Sequence, residues 1–297
     1  MFCECTTIRH GYGGILVRSL RLTLPLLALL FVACQPGASK DASLQEEGSE
    51  PIQLAPHLPT GVHLQSVYQI PDLIVGEGAS HDEMRYLLYL PDGYWEDPDK
   101  LWPMIFFLHG ADDEAYDSIF VLSMGLPAVL HLGEGPEDFP FIVVSPQAFM
   151  GSNWWTGDTL SILNSLLGEV IETQRVDPDR VYLTGLSMGG YGSWFLATAY
   201  PERFAAMVSV SGSGYQTSVI EDEETLCRLK DVPVWAIHDA QDVISVPETS
   251  KLFVSALQTA CGGEVEWTLY EDVGHSGAYE RAYRDPALYA WMLEHTR

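Results

Sequence analysis

Five short runs, each apolar throughout and each ending in small or polar residues, punctuate the middle of the chain: MIFFLHG (104–110), PFIVVSP (140–146), RVYLTG (180–185), AAMVSVSG (205–212) and VPVWAIHD (232–239). Each is too short for a buried helix and lacks the apolar–polar alternation of a strand with one wet face. Such runs are strands covered on both sides, as in a parallel sheet. Further strand patterns lie near 62–70, 84–90 and 265–270. The first two of these flank a polar, glycine-containing stretch and read as an antiparallel pair. The gaps between strands carry helical periodicity. Leu160, Leu163, Leu167, Val170 and Ile171 share one face of a helix that Asp158 or Thr159 is placed to cap, and residues 188–199, 222–230, 247–260 and 286–296 also read as helices. The expectation is one three-layer α/β domain over 61–297, with an eight-stranded, mostly parallel sheet and helices on both faces. The connection 212–231 is too short to hold a large lid domain, which leaves an open cleft.

The first 33 residues have another character. Arg9, Arg18 and Arg21 precede the apolar run Leu22 to Ala33, which Pro25 interrupts, and Cys34 follows at once. This run is too short for a comfortable membrane span and matches an export signal. Phe31-Val32-Ala33-Cys34 resembles a bacterial lipobox, so Cys34 is the expected lipid attachment point and the cell envelope the expected location, with plain secretion as the alternative. Residues 34–60 are rich in Pro, Gly, Ser and Glu and read as a flexible tether.

The whole chain has a formal charge of −26; without the three arginines and one glutamate that precede Cys34 it is about −28. Such a field repels nucleic acid and anionic headgroups, so no nucleic-acid partner is expected, and the membrane is met only through the lipid anchor. Two cysteines, Cys227 and Cys261, fall in the domain, each shortly before a strand, which puts them near one end of the sheet and makes a bridge between them an open alternative to two free thiols. No CxxC or clustered histidine spacing suits zinc. Neither a metal nor an organic cofactor is expected.

In parallel sheets ligands collect beyond the carboxyl ends of the strands. Ser187 lies there, in Gly185-Leu186-Ser187-Met188-Gly189, the G-x-S-x-G pattern of a serine held on a tight strand-to-helix turn. A serine hydroxyl needs a base to take its proton and an acid to orient that base. His275, in the glycine-flanked loop EDVGHSGAY after the last strand, is the expected base. Asp242, four residues past His238, is the expected acid, with Asp239 as runner-up and His238 as a packed or acid-orienting group. Trp154 and Trp155, just beyond the 140–145 strand, are candidates for a flat wall against the leaving group, the alternative being that at least one covers the core.

Taken together, FFLHGA, VSPQ…WW, VDPDRVYLTGLSMGGYGSW, PERFAAMVSVSG, VPVWAIHDAQD and GHSGAYERAY…LYAWM resemble the α/β-hydrolases over roughly residues 65–296. The likeness is to the branch that holds the predicted peptidases, feruloyl esterases and polyhydroxybutyrate-depolymerase-like serine esterases. It implies Ser187 as nucleophile, Asp242 as acid and His275 as base, and an oxyanion hole from the backbone N–H groups of Met188 and Ala111. Met188 also qualifies on physical grounds, because it opens a helix whose free N–H groups and dipole favour negative charge. The expected activity is hydrolysis of small-molecule or polymer-linked carboxylic esters through an acyl-enzyme. A serine peptidase on the same triad and a surface-binding lipoprotein are the alternatives.

Overall fold

The computed structural model describes residues 58–71, 74, 81–111, 121–149, 152–155, 158–212 and 223–297. All belong to the compact unit that begins at Ala55. The export signal and Cys34 lie outside the described residues, as does all of the tether before Leu58.

Eight strands form one sheet: β1 (His63–Gln69), β2 (Glu83–Tyr89), β3 (Trp102–Leu108), β4 (Ile142–Pro146), β5 (Val176–Leu186), β6 (Ala206–Val210), β7 (Val234–Asp239) and β8 (Val265–Tyr270). Their order across the sheet is β1-β2-β4-β3-β5-β6-β7-β8. The β1–β2 and β2–β4 pairs are antiparallel and every later pair is parallel. The chain therefore winds outward from β3 in two directions, with crossover helices in between.

The helices with described bounds are α1 (Gly125–His131), α2 (Thr159–Thr173), α3 (Met188–Ala199), α4 (Glu223–Leu226), α5 (Pro247–Thr259), α6 (Gly274–Ala282) and α7 (Pro286–Glu294). Along β3 the side chains alternate between two cores. Met104, Phe106 and Leu108 belong to the core that also holds Leu163 and Leu167 of α2, Trp194 of α3 and Phe253 of α5, whereas Ile105 and Phe107 belong to the one that holds Leu126 and Val129 of α1 and Leu288 and Met292 of α7. Every residue of β3 and β4 is buried, which is why these strands carry no polar alternation. Fully burying one such side chain stabilises the fold by roughly 1.5–3 kcal/mol.

Three local expectations need correction. The stretch around His275 is not a loop: His275 is the second residue of helix α6. β5 begins at Val176, where Trp102 pairs with it, and reaches its main run only after a register shift opposite Trp102 and Met104. Asp158 stands at the N-cap of α2, but its side chain makes no capping bond.

Cys227 and Cys261 are bridged, with their Cα atoms 4.9 Å apart. The bridge joins the short 3₁₀ turn Cys227–Leu229, ahead of β7, to the segment ahead of β8, at the end of the sheet remote from Ser187. For a sequence separation of 34, chain-entropy reasoning gives a stabilisation of about 3–4 kcal/mol.

Candidate active site

Ser187 sits at the junction of β5 and α3 with φ 51° and ψ −117°, a region that side-chain-bearing residues rarely occupy. Its amide donates to the Val210 carbonyl at 2.9 Å and its carbonyl accepts from Tyr191 N–H at 3.0 Å, so the neighbouring strand and the new helix together hold the turn. The flanking glycines are required by close approach. A Cβ on Gly185 would collide with the Gly189 carbonyl, and one on Gly189 with the Leu108 carbonyl at the end of β3. G-x-S-x-G is therefore a packing solution that leaves the hydroxyl standing clear at the carboxyl end of the sheet.

The partners arrive from the two strands at the far edge. His275 Nε2 lies 2.9 Å from Ser187 Oγ, and His275 Nδ1 lies 2.7 Å from Asp242 Oδ2. A carboxylate only accepts, so Nδ1 carries the proton and Nε2 is left to receive the serine proton. The second oxygen of Asp242 is occupied as well, since Oδ1 accepts from Ile244 N–H and Ser245 N–H, both at 2.9 Å. Asp242 is buried while His275 is partly exposed.

Asp239, the runner-up for the acid, has another task. Its carboxylate accepts from Gln241 N–H at 2.8 Å and Val273 N–H at 3.0 Å, and from the amides of Asp272 and Gly274. Burial pushes its pKa up, but these amides outweigh burial and the net shift is downward. Asp239 thus anchors the turn that starts α6, one residue before His275. The signal for this role was a carboxylate closing an otherwise apolar strand. Ser211, also at positive φ (50°), adds a hydroxyl contact to the His275 carbonyl at 3.3 Å. Tyr191, four residues after Ser187 and so on the same helix face, brings its hydroxyl to 3.2 Å from Ser245 Oγ on the acid loop.

On the oxyanion side, Met188 opens α3, where the first N–H groups have no partner within the helix. Gly110 comes close enough to the nucleophile that a Cβ on it would lie 3.5 Å from Ser187 Cβ, and Ala111 is the next residue. Beneath this stretch His109 is buried, with Nδ1–H donating to Gly110 O at 2.7 Å and Nε2 accepting from Ala148 N–H at 3.0 Å. Burial holds its pKa down to about 4 against the support of the Gly110 carbonyl, and His63 is lowered to about 4 by the same cause. The unfolded chain, with histidine near its ordinary 6.5, takes up these protons first as the pH falls. Stability should then be lost between about pH 6.5 and 4, on the order of 3 kcal/mol for the fully buried His109 and less for the partly buried His63. Urea unfolding across that range checks this, and His109→Gln should flatten the slope.

The two tryptophans part company. Trp154 is 0% exposed and belongs to the core: its Nε1–H donates to His109 O at 2.9 Å and its ring occupies the space that Gly192 leaves without a side chain. It does not form a wall of the cleft. Trp155 is only partly buried and packs on Phe195 and Tyr191 of α3, each with ring centroids 5.8 Å apart. Beside Asp242, Val243 and Ile244 are 89% and 73% exposed, an apolar rim on the acid loop. Among the described residues no group of three or more His, Cys, Asp or Glu is placed to hold a metal ion, and no helix is long and apolar enough to cross a membrane.

A strained serine between β5 and α3, met by a histidine and a buried aspartate from the carboxyl ends of β8 and β7 in this strand order, defines an α/β-hydrolase. Residues 118–282, more than half of the sequence, match the family described as phospholipase/carboxylesterase, and the chain belongs to that family. Poly(3-hydroxyalkanoate) depolymerase C of Paucimonas lemoignei is 26% identical over 171 residues, 52% of this chain and 37% of the depolymerase. A thermostable esterase of known structure superposes with a TM-score of 0.63 at 27% identity, over 79% of this chain and 63% of its own. The chain thus spans less than two thirds of either relative. The feruloyl esterase module of Clostridium thermocellum (TM-score 0.57, 16% identity, 77% and 87% covered) and the acylaminoacyl peptidase of Pyrococcus horikoshii (0.55, 16%, 78% and 41%) share the fold.

Proposed function

We propose that this chain hydrolyses neutral carboxylic esters through an acyl-enzyme on Ser187. The observation that carries the reading is the unbroken line Ser187 Oγ–His275 Nε2 (2.9 Å) and His275 Nδ1–Asp242 Oδ2 (2.7 Å). Ser187 Oγ attacks the acyl carbon as His275 Nε2 takes its proton. The oxyanion that forms faces the N–H groups of Met188 and Ala111, each such donor contributing about 3–4 kcal/mol to the transition state. The intermediate collapses, the alcohol leaves with the proton from His275, and a water activated by the same imidazole releases the acid. Asp242 keeps the ring in the tautomer that both steps use.

The substrate class follows from the rim. Val243 and Ile244, next to Asp242 on the acid loop, and the Trp155 ring packed on α3 offer uncharged, apolar surface in a chain of strongly negative charge. They suit an aromatic or short aliphatic ester and disfavour an anionic one. Only residues 211–233 separate β6 from β7, and α4 and its 3₁₀ turn use part of them, which is too few for a large lid domain and supports an open cleft. Turnover of p-nitrophenyl esters should therefore fall as the acyl chain lengthens from acetyl or butyryl toward palmitoyl, without a jump at the solubility limit. A rise on long chains would replace this reading with that of a lipase. In the same panel, feruloyl esters and acetylated xylan test polymer-linked substrates, and peptide amides cleaved faster than esters would make the chain a peptidase. Attachment through a lipid at Cys34 in the cell envelope, on its periplasmic or surface side, is our proposal for its location, with plain secretion as the alternative.

A further inference from the structure

The acid of the triad has a second imidazole behind it. His238, the penultimate residue of β7, is fully buried, and its Nε2 lies 2.6 Å from Ser245 O and 3.1 Å from Asp242 Oδ2, the oxygen that also receives His275 Nδ1–H. A backbone carbonyl only accepts, so Nε2 carries the proton and shares it between the two oxygens. Nδ1 lies 3.0 Å from Ser250 Oγ on α5, and Ser250 Oγ also meets the Gly212 carbonyl at 2.9 Å. The ring is therefore fixed at both nitrogens, to the acid loop on one side and to a helix on the other.

We propose that His238 is a positioning residue for the acid–base pair: one buried N–H holds the acid loop at Ser245 and the carboxylate at Oδ2, and so sets the direction and strength of the bond from Asp242 to His275. This rests on the reading of Ser187, His275 and Asp242 as a working triad. The loop closes on itself through these contacts, since Ser245 donates its N–H to Asp242 Oδ1 while its carbonyl receives His238. Removing the imidazole would free both ends of that clasp. It would also leave Oδ2 with one donor fewer and more negative charge opposite His275.

The groups facing this arrangement come from four directions. Asp242 is on the acid loop, Ser250 on α5, and the Trp267 ring of β8 lies 6.3 Å from His238. His275 lies at the start of α6 with Tyr279 one turn on, ring centroids 6.1 Å apart, while Asp239 is turned away to the amides of 272–274. Burial holds the His238 pKa below the ordinary histidine value, with the Ser245 carbonyl and the Asp242 carboxylate opposing it and the His275 charge adding to the lowering.

The test compares His238→Leu, which removes the donor, with His238→Gln, whose amide nitrogen can reach the position of Nε2. For p-nitrophenyl acetate, the leucine variant should lose roughly 10- to 100-fold in kcat, the scale of a small misplacement of a catalytic group, with KM little changed. Its kcat/KM should begin to fall at higher pH on acidification than in the native protein, because a less tempered carboxylate makes the His275 imidazolium easier to form. The glutamine variant should keep the native pH profile and most of kcat. A proton NMR spectrum supplies a readout that needs no turnover: the deshielded N–H resonance of the His275–Asp242 bond should move in the leucine variant and stay in the glutamine variant. A native pH profile and an unmoved resonance in His238→Leu, whatever its kcat or Tm, would overturn the proposal. If that variant does not fold, a shifted profile in folded His238→Gln would overturn it instead. Should the native protein hydrolyse no ester, the triad reading fails, and the resonance still decides whether His238 governs the acid.

Discussion

Ser187→Ala should abolish labelling by a fluorophosphonate and lower kcat by about 10³ or more, while the protein remains folded. The substitution removes one oxygen that stands clear of the core, and the turn around it is held by backbone contacts to Val210 and Tyr191 that alanine keeps. Circular dichroism and Tm should therefore stay close to native. Residual turnover would measure what the oxyanion donors and binding contribute without a nucleophile. Full labelling of the alanine variant would place the nucleophile elsewhere and remove the basis of the proposed mechanism.

The second large effect separates two carboxylates three residues apart. Asp242→Asn should cost on the order of 10⁴ in kcat, because an amide at that position no longer enforces the His275 tautomer in which Nε2 is free to take a proton. Its stability should change less. Asp239→Asn should show the opposite balance. The lost partner there is a carboxylate that serves the amides of 241 and 272–274, and buried charge-assisted bonds of this kind contribute about 1.5–3 kcal/mol each. Its Tm should fall clearly while kcat drops by less than in Asp242→Asn. Unfolding curves and kcat measured on both variants give the ranking, and the reverse order would transfer the role of the acid to Asp239.

Much of this was legible in the sequence because it depends on local pattern. β8 and α3 fall at 265–270 and 188–199, as periodicity predicts, since both are short elements bounded by turn residues or glycines. The elbow was legible because its glycines are dictated by neighbouring backbone rather than by distant side chains. The start of α6 was not. Gly274, His275 and Gly277 argue against a helix on propensity, and the helix forms because Asp239 receives its leading amides while Ala278 and Ala282 pack into the core. The fate of Trp154 was hidden for a similar reason. Adjacent tryptophans look alike in sequence, and only the fold reveals that one finds the His109 carbonyl and the gap at Gly192. The second imidazole behind Asp242 lay between these cases: its sequence spacing was visible, its shared proton was not.

Ser187 and Ser211 close two adjacent strands, and both stand at positive φ without being glycine. Strain of this kind costs on the order of 1–3 kcal/mol at each position, and a close-packed surround has to overcome it every time the chain folds. Thermostability and competence are therefore set against each other at one spot. Ser187→Gly should melt at a higher temperature than Ser187→Ala, since both lack the hydroxyl and only glycine relaxes the turn. Selection for heat resistance alone, with no demand for turnover, would be expected to drift toward glycine there.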